Sequence, residues 1–200
     1  GLDSGGLAPH QKKASRRQAW LAFLDESGLM MAPFMRRTWN PRGETPLLHH
    51  CGGTHRKVSV IGALCVPPER DDVRLYFRLH PNANINAERV VDFLGQLLAQ
   101  VDAPMVLIWD RLNAHRAYLV QDFLAAHRQL ATEFFPPYAP ELNPIEYVWG
   151  YLKLNPLANL AFFDLEELTT TARSQTRSLQ RKPDLLRSFL RHSPLSLRLK

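Results

Sequence analysis

The sequence predicts an α/β fold, a mixed β-sheet with helices on both of its faces. Three observations predict it. Two near-continuous apolar runs, WLAFLD over 20–25 and MVLIWD over 105–110, read as strands buried on both sides. The first half of the chain alternates apolar and polar residues between turn signals, the pattern of hairpins and antiparallel strands. The second half alternates strand with helix, the pattern of parallel strands joined by crossovers. In such sheets chemistry collects at strand ends.

The elements follow in order. Residues 1–18 carry Gly, Ser and the basic pairs Lys12-Lys13 and Arg16-Arg17 without an apolar period, and read as a linker or basic arm. The first strand ends at Asp25, where Ser27-Gly28 breaks it. A hairpin is expected over 36–48 around the turn Asn40-Pro41-Arg42-Gly43. HHCGGTHRK, 49–57, is a polar, positively charged loop. KVSVIGALCVP is a second strand, closed by Pro67-Pro68, and RLYFRL over 74–79 alternates as another. Asn86 caps a helix over 87–100 with Val90, Leu94, Leu97 and Leu98 on one side. MVLIWD follows Pro104. A helix over 115–130 then carries Leu119, Phe123, Leu124 and Leu130, and TEFFP is a short strand. A Pro-rich loop leads into a helix that starts near Asn143. Asp164 and Glu167 form a capping box for a helix to about 181, and Pro183 opens a last short one. The resulting order is β-β-β-β-α-β-α-β-α-α, with the last short helix after it.

Composition narrows the function classes. Two hundred residues, 45% hydrophobic and 22% charged, suit one globular domain of ordinary size. No apolar run approaches the roughly 18 residues that span a membrane. Cys51 and Cys65 give no disulfide framework, so a reduced, intracellular setting is the default. The net charge of +6 and pI near 9.6 favour a polyanionic partner, nucleic acid before a membrane surface. Charge is concentrated from Arg173 onward, where eight Arg and Lys face only Asp184. A solvated basic helix face reads equally well there.

Three carboxylates form the candidate site. Asp25 and Asp110 each follow an apolar run, where a buried strand surfaces. Two such carboxylates on neighbouring strands repel, and one pKa rises unless a cation lies between them. Magnesium or manganese with oxygen ligands answers that need. Each Asp taken alone is more at home starting a turn. Glu146 is divided in the same way. Asn143-Pro144-Ile145-Glu146 reads as a capping box, with Glu146 serving its own helix. Ile145, Val148, Trp149 and Leu152 make the apolar stripe, however, which leaves Glu146 off it, beside Gly150 and Lys153. Lys153 on that side suits a phosphate. His115, near a helix start, suits DNA, water, capping or packing. His49, His50, Cys51 and His55 lack a zinc-ligand frame and read as a hairpin loop. No Gly-rich phosphate loop is present, and Ser27 lacks a nucleophile-elbow pattern.

LDESG at 24–28, SVIGAL at 59–64, WDRLNAH at 109–115 and PPYAPELNPIEYVWGYLK at 136–153 resemble the DDE transposases of the mariner-like superfamily, in its bacterial insertion-sequence branch. The likeness runs from about Ala19 to Leu168, and the run Pro136–Glu146 is its most specific part. The interval 111–145 between the second and third carboxylates also matches the family's spacing. The resemblance implies a ribonuclease H-like fold with a mixed five-stranded sheet. It implies Asp25, Asp110 and Glu146 as a catalytic triad holding two Mg2+ or Mn2+ ions. The implied reaction cuts transposon ends and joins the freed 3′-hydroxyl to target DNA, at TA. It further implies a homodimer in the active complex, helix-turn-helix modules ahead of this chain, and a cytoplasmic site at the bacterial nucleoid. The expected organisation is a basic arm over 1–18, a catalytic domain over 19–168 and a basic helical extension over 169–200. DNA contacts are expected from Arg36, Arg37, Arg42, Arg56, Lys57, His115 and Lys153, with Trp39 or Tyr138 able to stack on bases. Two other readings stand beside this one. One is a non-catalytic DNA-binding transposase remnant. The other is a ribonuclease H-like nuclease without strand transfer. In the absence of metal, Glu146 is expected to turn back onto its own helix.

Overall fold

The computed structural model describes residues 18–32, 35, 37, 56–137, 139–195 and 199. Five strands form one sheet in the order β3-β2-β1-β4-β5. They are β1 (Trp20–Met30), β2 (Lys57–Val66), β3 (Arg74–Pro81), β4 (Met105–Trp109) and β5 (Leu130–Phe134). β1 pairs antiparallel with β2, and β2 antiparallel with β3. β4 lies parallel to β1, and β5 parallel to β4. The mixed sheet read from the sequence is therefore present, antiparallel in its first half and parallel in its second. The expected hairpin over 36–48 and the histidine loop over 49–55 fall outside the described residues.

Alternation along the strands divides the core in two. Leu21, Phe23, Val58, Val60, Val106 and Ile108 join one cluster. Ala22, Leu24, Ile61, Ala63, Leu107 and Trp109 join the other. The second cluster is covered by α1 (Ala87–Val101), α2 (Asn113–Arg116) and α3 (Tyr118–Ala126). α1 begins as the sequence predicts, with Asn86 Oδ1 accepting from the Arg89 amide at 3.1 Å. The first cluster is covered by α4 (Ile145–Leu154), α5 (Leu165–Gln180) and α6 (Pro183–His192). Asp164 caps α5 by accepting from the Glu167 amide, and Glu167 reaches back to the Phe163 amide. Residue 168, the expected domain boundary, lies inside α5, whose Leu168, Ala172 and Leu179 are buried in the first cluster.

Three local expectations are corrected. β1 does not stop at Asp25 but runs five residues further, to Met30, because β2 continues to pair with it as far as Lys57. The single helix over 115–130 is two, broken at Ala117, whose ψ of 144° is extended. Leu119 then points outward and Val120 inward. Asn143 does not cap α4, as the site geometry explains.

Candidate active site

Strand parity places the first two carboxylates. Phe23 of β1 pairs with Ile108 of β4. Two residues on, Asp25 and Asp110 stand level on neighbouring strands, on the face covered by α4. Glu146 begins α4. Asp25, Asp110 and Glu146 line one cavity of about 460 Å³, walled by Phe135 and the Pro136-Pro137 loop.

Asp25 is 9% exposed and lies within β1, opposite Gly62 of β2. Trp149 Nε1 donates to its Oδ2 at 3.0 Å. The indole reaches it by lying across Gly62. A Cβ there would meet Trp149 Cη2 at 2.8 Å and the Tyr76 carbonyl at 3.0 Å. Burial, then the charges of Glu146, Glu26 and Asp110, push the Asp25 carboxyl up to about 8. Burial and Asp110 raise Glu146 too, while Lys153 opposes them.

Asp110 goes the other way. Burial acts to raise it, but hydrogen bonds from His115 and from the Leu112 amide prevail and hold it below the usual carboxylate range. Its Oδ1 takes both bonds, each at 3.0 Å. Its Oδ2 has no hydrogen-bond partner among the described residues. His115 is fully buried and stacks on Trp109 with ring centroids 4.2 Å apart. Its Nε2 meets Glu26 Oε1 at 2.8 Å. Burial would lower its pKa, yet Asp110 and Glu26 raise it to about 10. His115 is therefore an imidazolium at neutral pH and donates from both nitrogens. Glu26 faces the opposite side of the sheet from Asp25, so Glu26–His115–Asp110 is a brace that passes around the end of β4.

The expected DNA contact from His115 is corrected by this burial, since its two nitrogens are occupied and no surface remains. The capping box at Asn143 is corrected as well. Pro144 occupies the N-cap position of α4, and no side chain caps it. Asn143 Nδ2 donates instead to the Leu24 carbonyl on β1 at 3.1 Å, which ties the start of α4 beside Asp25. Its Oδ1 is buried without a partner among the described residues. Glu146 accepts no hydrogen bond from its own helix, so it is not turned back onto it. Ile145, Val148, Trp149 and Leu152 are the buried stripe, as predicted. Lys153 Nζ donates to Ser27 Oγ at 2.7 Å, on the same side of β1 as Asp25. Arg37 and Arg56 are exposed, and Lys57 lies beside Glu26 in a different cavity. Arg36, Arg42, Trp39, Tyr138, His49, His50, Cys51 and His55 lie outside the described residues. Cys65 is free and buried.

The sequence reading missed Glu26, Gly62, Trp149 as a donor, and Asn143 as a strand tie. Glu26 carries a weak signal. It directly follows Asp25 in a strand, so it must face the other side, where a buried carboxylate needs a partner.

Among the described residues, no three His, Cys, Asp or Glu side chains stand close enough to chelate one ion. The donor chemistry nevertheless suits a hard divalent cation. All three candidates are carboxylates, two of them raised by burial and by neighbouring carboxylate charge, and Asp110 leaves one oxygen open.

A family model described as DDE superfamily endonuclease matches residues 20–169. An uncharacterized protein of Sinorhizobium fredii, y4pE/y4sA, is 33% identical over 87 residues, which cover 42% of this chain and 62% of that protein. The Mos1 mariner paired end complex with Mn is similar in structure, with TM-score 0.62 and 17% identity, covering 93% of this chain and 54% of that one. The catalytic domain of Mos1 mariner transposase gives TM-score 0.52 and 14% identity, covering 98% and 93%. These likenesses show a ribonuclease H-like fold. The chain spans about half to two thirds of the S. fredii protein and of the Mos1 chain in the paired end complex.

Proposed function

Since the chain belongs to the DDE superfamily endonuclease family, we propose that it is the catalytic part of a transposase that cuts DNA at transposon ends and joins the freed 3′-hydroxyl to target DNA. The observation that carries this reading is the convergence of Asp25, Asp110 and Glu146 on one cavity, with Asp25 pushed up to about 8 by burial and by the other carboxylates. The Mos1 complexes with paired ends and manganese or magnesium support it by likeness of fold.

Asp25, Asp110 and Glu146 would hold two Mg2+ or Mn2+ ions, which when bound supply charge neutralisation at the phosphate and a water of lowered pKa. The chain's own residues supply position. Trp149 fixes one oxygen of Asp25, and His115 with the Leu112 amide fixes Oδ1 of Asp110, which lines the cavity, and leaves Oδ2 without a bond from either. Asn143 fixes the start of α4, hence Glu146, against β1. The Pro136-Pro137 loop closes one wall without a mobile side chain. Lys153, held at Ser27, and Arg111 at the cavity wall stand where phosphate oxygens would be neutralised. A TA target, a homodimeric active complex and helix-turn-helix modules ahead of the chain complete the proposal.

The test is strand cleavage and joining on duplex transposon ends, with Asp25→Ala, Asp110→Ala and Glu146→Ala against the parent. Each folded variant is expected to lose at least a hundredfold in both steps. Variants that cut and join like the parent overturn the assignment. Cutting without joining by the parent indicates a nuclease instead.

A further inference from the structure

β3 is an outer strand, and at its free edge Gln180 Nε2 of α5 donates to the Leu75 carbonyl at 2.7 Å. Around that edge α1 and α5 approach from opposite faces of the sheet and enclose a cavity of about 410 Å³. α5 contributes Arg173 and Arg177, one turn apart on one side of the helix. α1 contributes Gln96 and Gln100 in the same way, and β3 contributes Arg78. The charged lining is these three guanidinium groups, with no carboxylate. No described carboxylate pairs with any of the three within salt-bridge distance.

That arrangement costs stability unless an anion offsets it. Like charges one turn apart repel on a helix. Arg177 lies in the last turn of α5, where a cation favours the helix dipole, but Arg173 and Arg78 have no such role. The cavity also stands apart from the carboxylates. Asp25, Gly62 and Phe77 are level across β1, β2 and β3, two strand spacings or about 10 Å between the outer backbones. Trp149 lies across Gly62 between them.

We propose that this arginine-lined edge takes the phosphodiester backbone of a DNA segment that lies outside the carboxylate cavity. The inference rests on the reading that the chain acts on DNA. Guanidinium forks match phosphate oxygens, and glutamine amides donate to them without reading sequence. A free small anion fits worse. The helices present their middle and C-terminal turns here, whose dipole repels a small anion held against the backbone, whereas long exposed arginines reach a duplex beyond it.

The test is fluorescence anisotropy of a labelled mixed-sequence duplex with the whole chain, over a range of salt. Arg173→Gln with Arg177→Gln is expected to weaken binding about tenfold at low salt. It should also flatten the dependence of log K on log salt by about 1.8, or 0.9 per lost phosphate contact. Adding Arg78→Gln flattens it by about 0.9 more. Arg116→Gln with Arg128→Gln, exposed and outside the cavity, is the charge-matched control. An unchanged slope in the first pair, or an equal loss in the control, overturns the inference. So does displacement of the duplex by millimolar inorganic phosphate that depends on Arg173 and Arg177, because that marks a small-anion site. A parent that binds no duplex overturns it together with the proposed function. A parent that binds but never cuts, with or without metal, overturns the function alone.

Discussion

Replacing Asp25 by Asn should stabilise the protein while disabling it. In the fold the Asp25 carboxyl titrates near 8, against an ordinary 3.8. A carboxyl whose folded pKa is raised contributes its full stability below about pH 4. It loses that stability steadily as pH rises to about 8, because the folded state holds the proton that the unfolded chain has released. Near pH 7 the loss spans roughly three units at about 1.36 kcal/mol each, so about 4 kcal/mol. Burial at 9% exposure leaves little solvent to screen it. Asn keeps the shape, accepts from Trp149 Nε1 through its own Oδ1, and does not titrate. At this chain length that gain raises the melting temperature by on the order of 10 °C. The assay is chemical and thermal unfolding from about pH 4 to pH 9 without divalent ions. The two proteins should converge at the acid end and separate steadily above it. Millimolar magnesium should narrow the gap by binding only the folded parent. A variant no more stable than the parent near pH 8, or a gap that does not change with pH, would refute the reasoning.

Other perturbations follow from the same geometry. Gly62→Ala forces a methyl group against Trp149 and the Tyr76 carbonyl, at an expected cost of about 1–3 kcal/mol in denaturant unfolding. That cost should shrink when Trp149→Phe removes the outer ring, and equal costs in both backgrounds would contradict the packing. His115→Gln breaks a buried ion pair with Glu26 and a half-exposed one with Asp110, and should cost about 3 kcal/mol, most of it on the Glu26 side. The Asp110 carboxyl should then move upward, read by NMR titration, and an unmoved Asp110 would show that His115 does not hold it down. Glu26→Gln with His115→Gln should cost less than the two single changes added, measured as a double-mutant cycle.

Much of the fold was legible because its signals are local. MVLIWD is apolar throughout because β4 is covered on both faces, and the stripe of α4 repeats every three to four residues. The co-location of Asp25 and Asp110 was also legible, from two apolar runs that each end in Asp. The supports were not. Glu26 and His115 are 89 residues apart and meet only because β1 and β4 are neighbours. Gly62 matters only through the antiparallel register that sets it opposite Asp25. Asn143 carries a strong capping signal before Pro144, yet the turn Pro140–Leu142 carries it against β1, where the Leu24 carbonyl competes for its amide. Asp25 was placed at a strand end because Ser-Gly usually stops a strand, whereas ten consecutive pairs with β2 override that local preference.

The central claim is that Asp25, Asp110 and Glu146 act together on divalent metal. Calorimetric titration of the intact chain with Mn2+ and Mg2+ tests it most directly, alongside Asp25→Asn, Asp110→Asn and Glu146→Gln. The parent should bind stoichiometrically, with protons released as Asp25 ionises near pH 7, and each variant should lose at least tenfold in affinity. A parent that binds neither ion, or variants that bind as tightly as the parent, would contradict it.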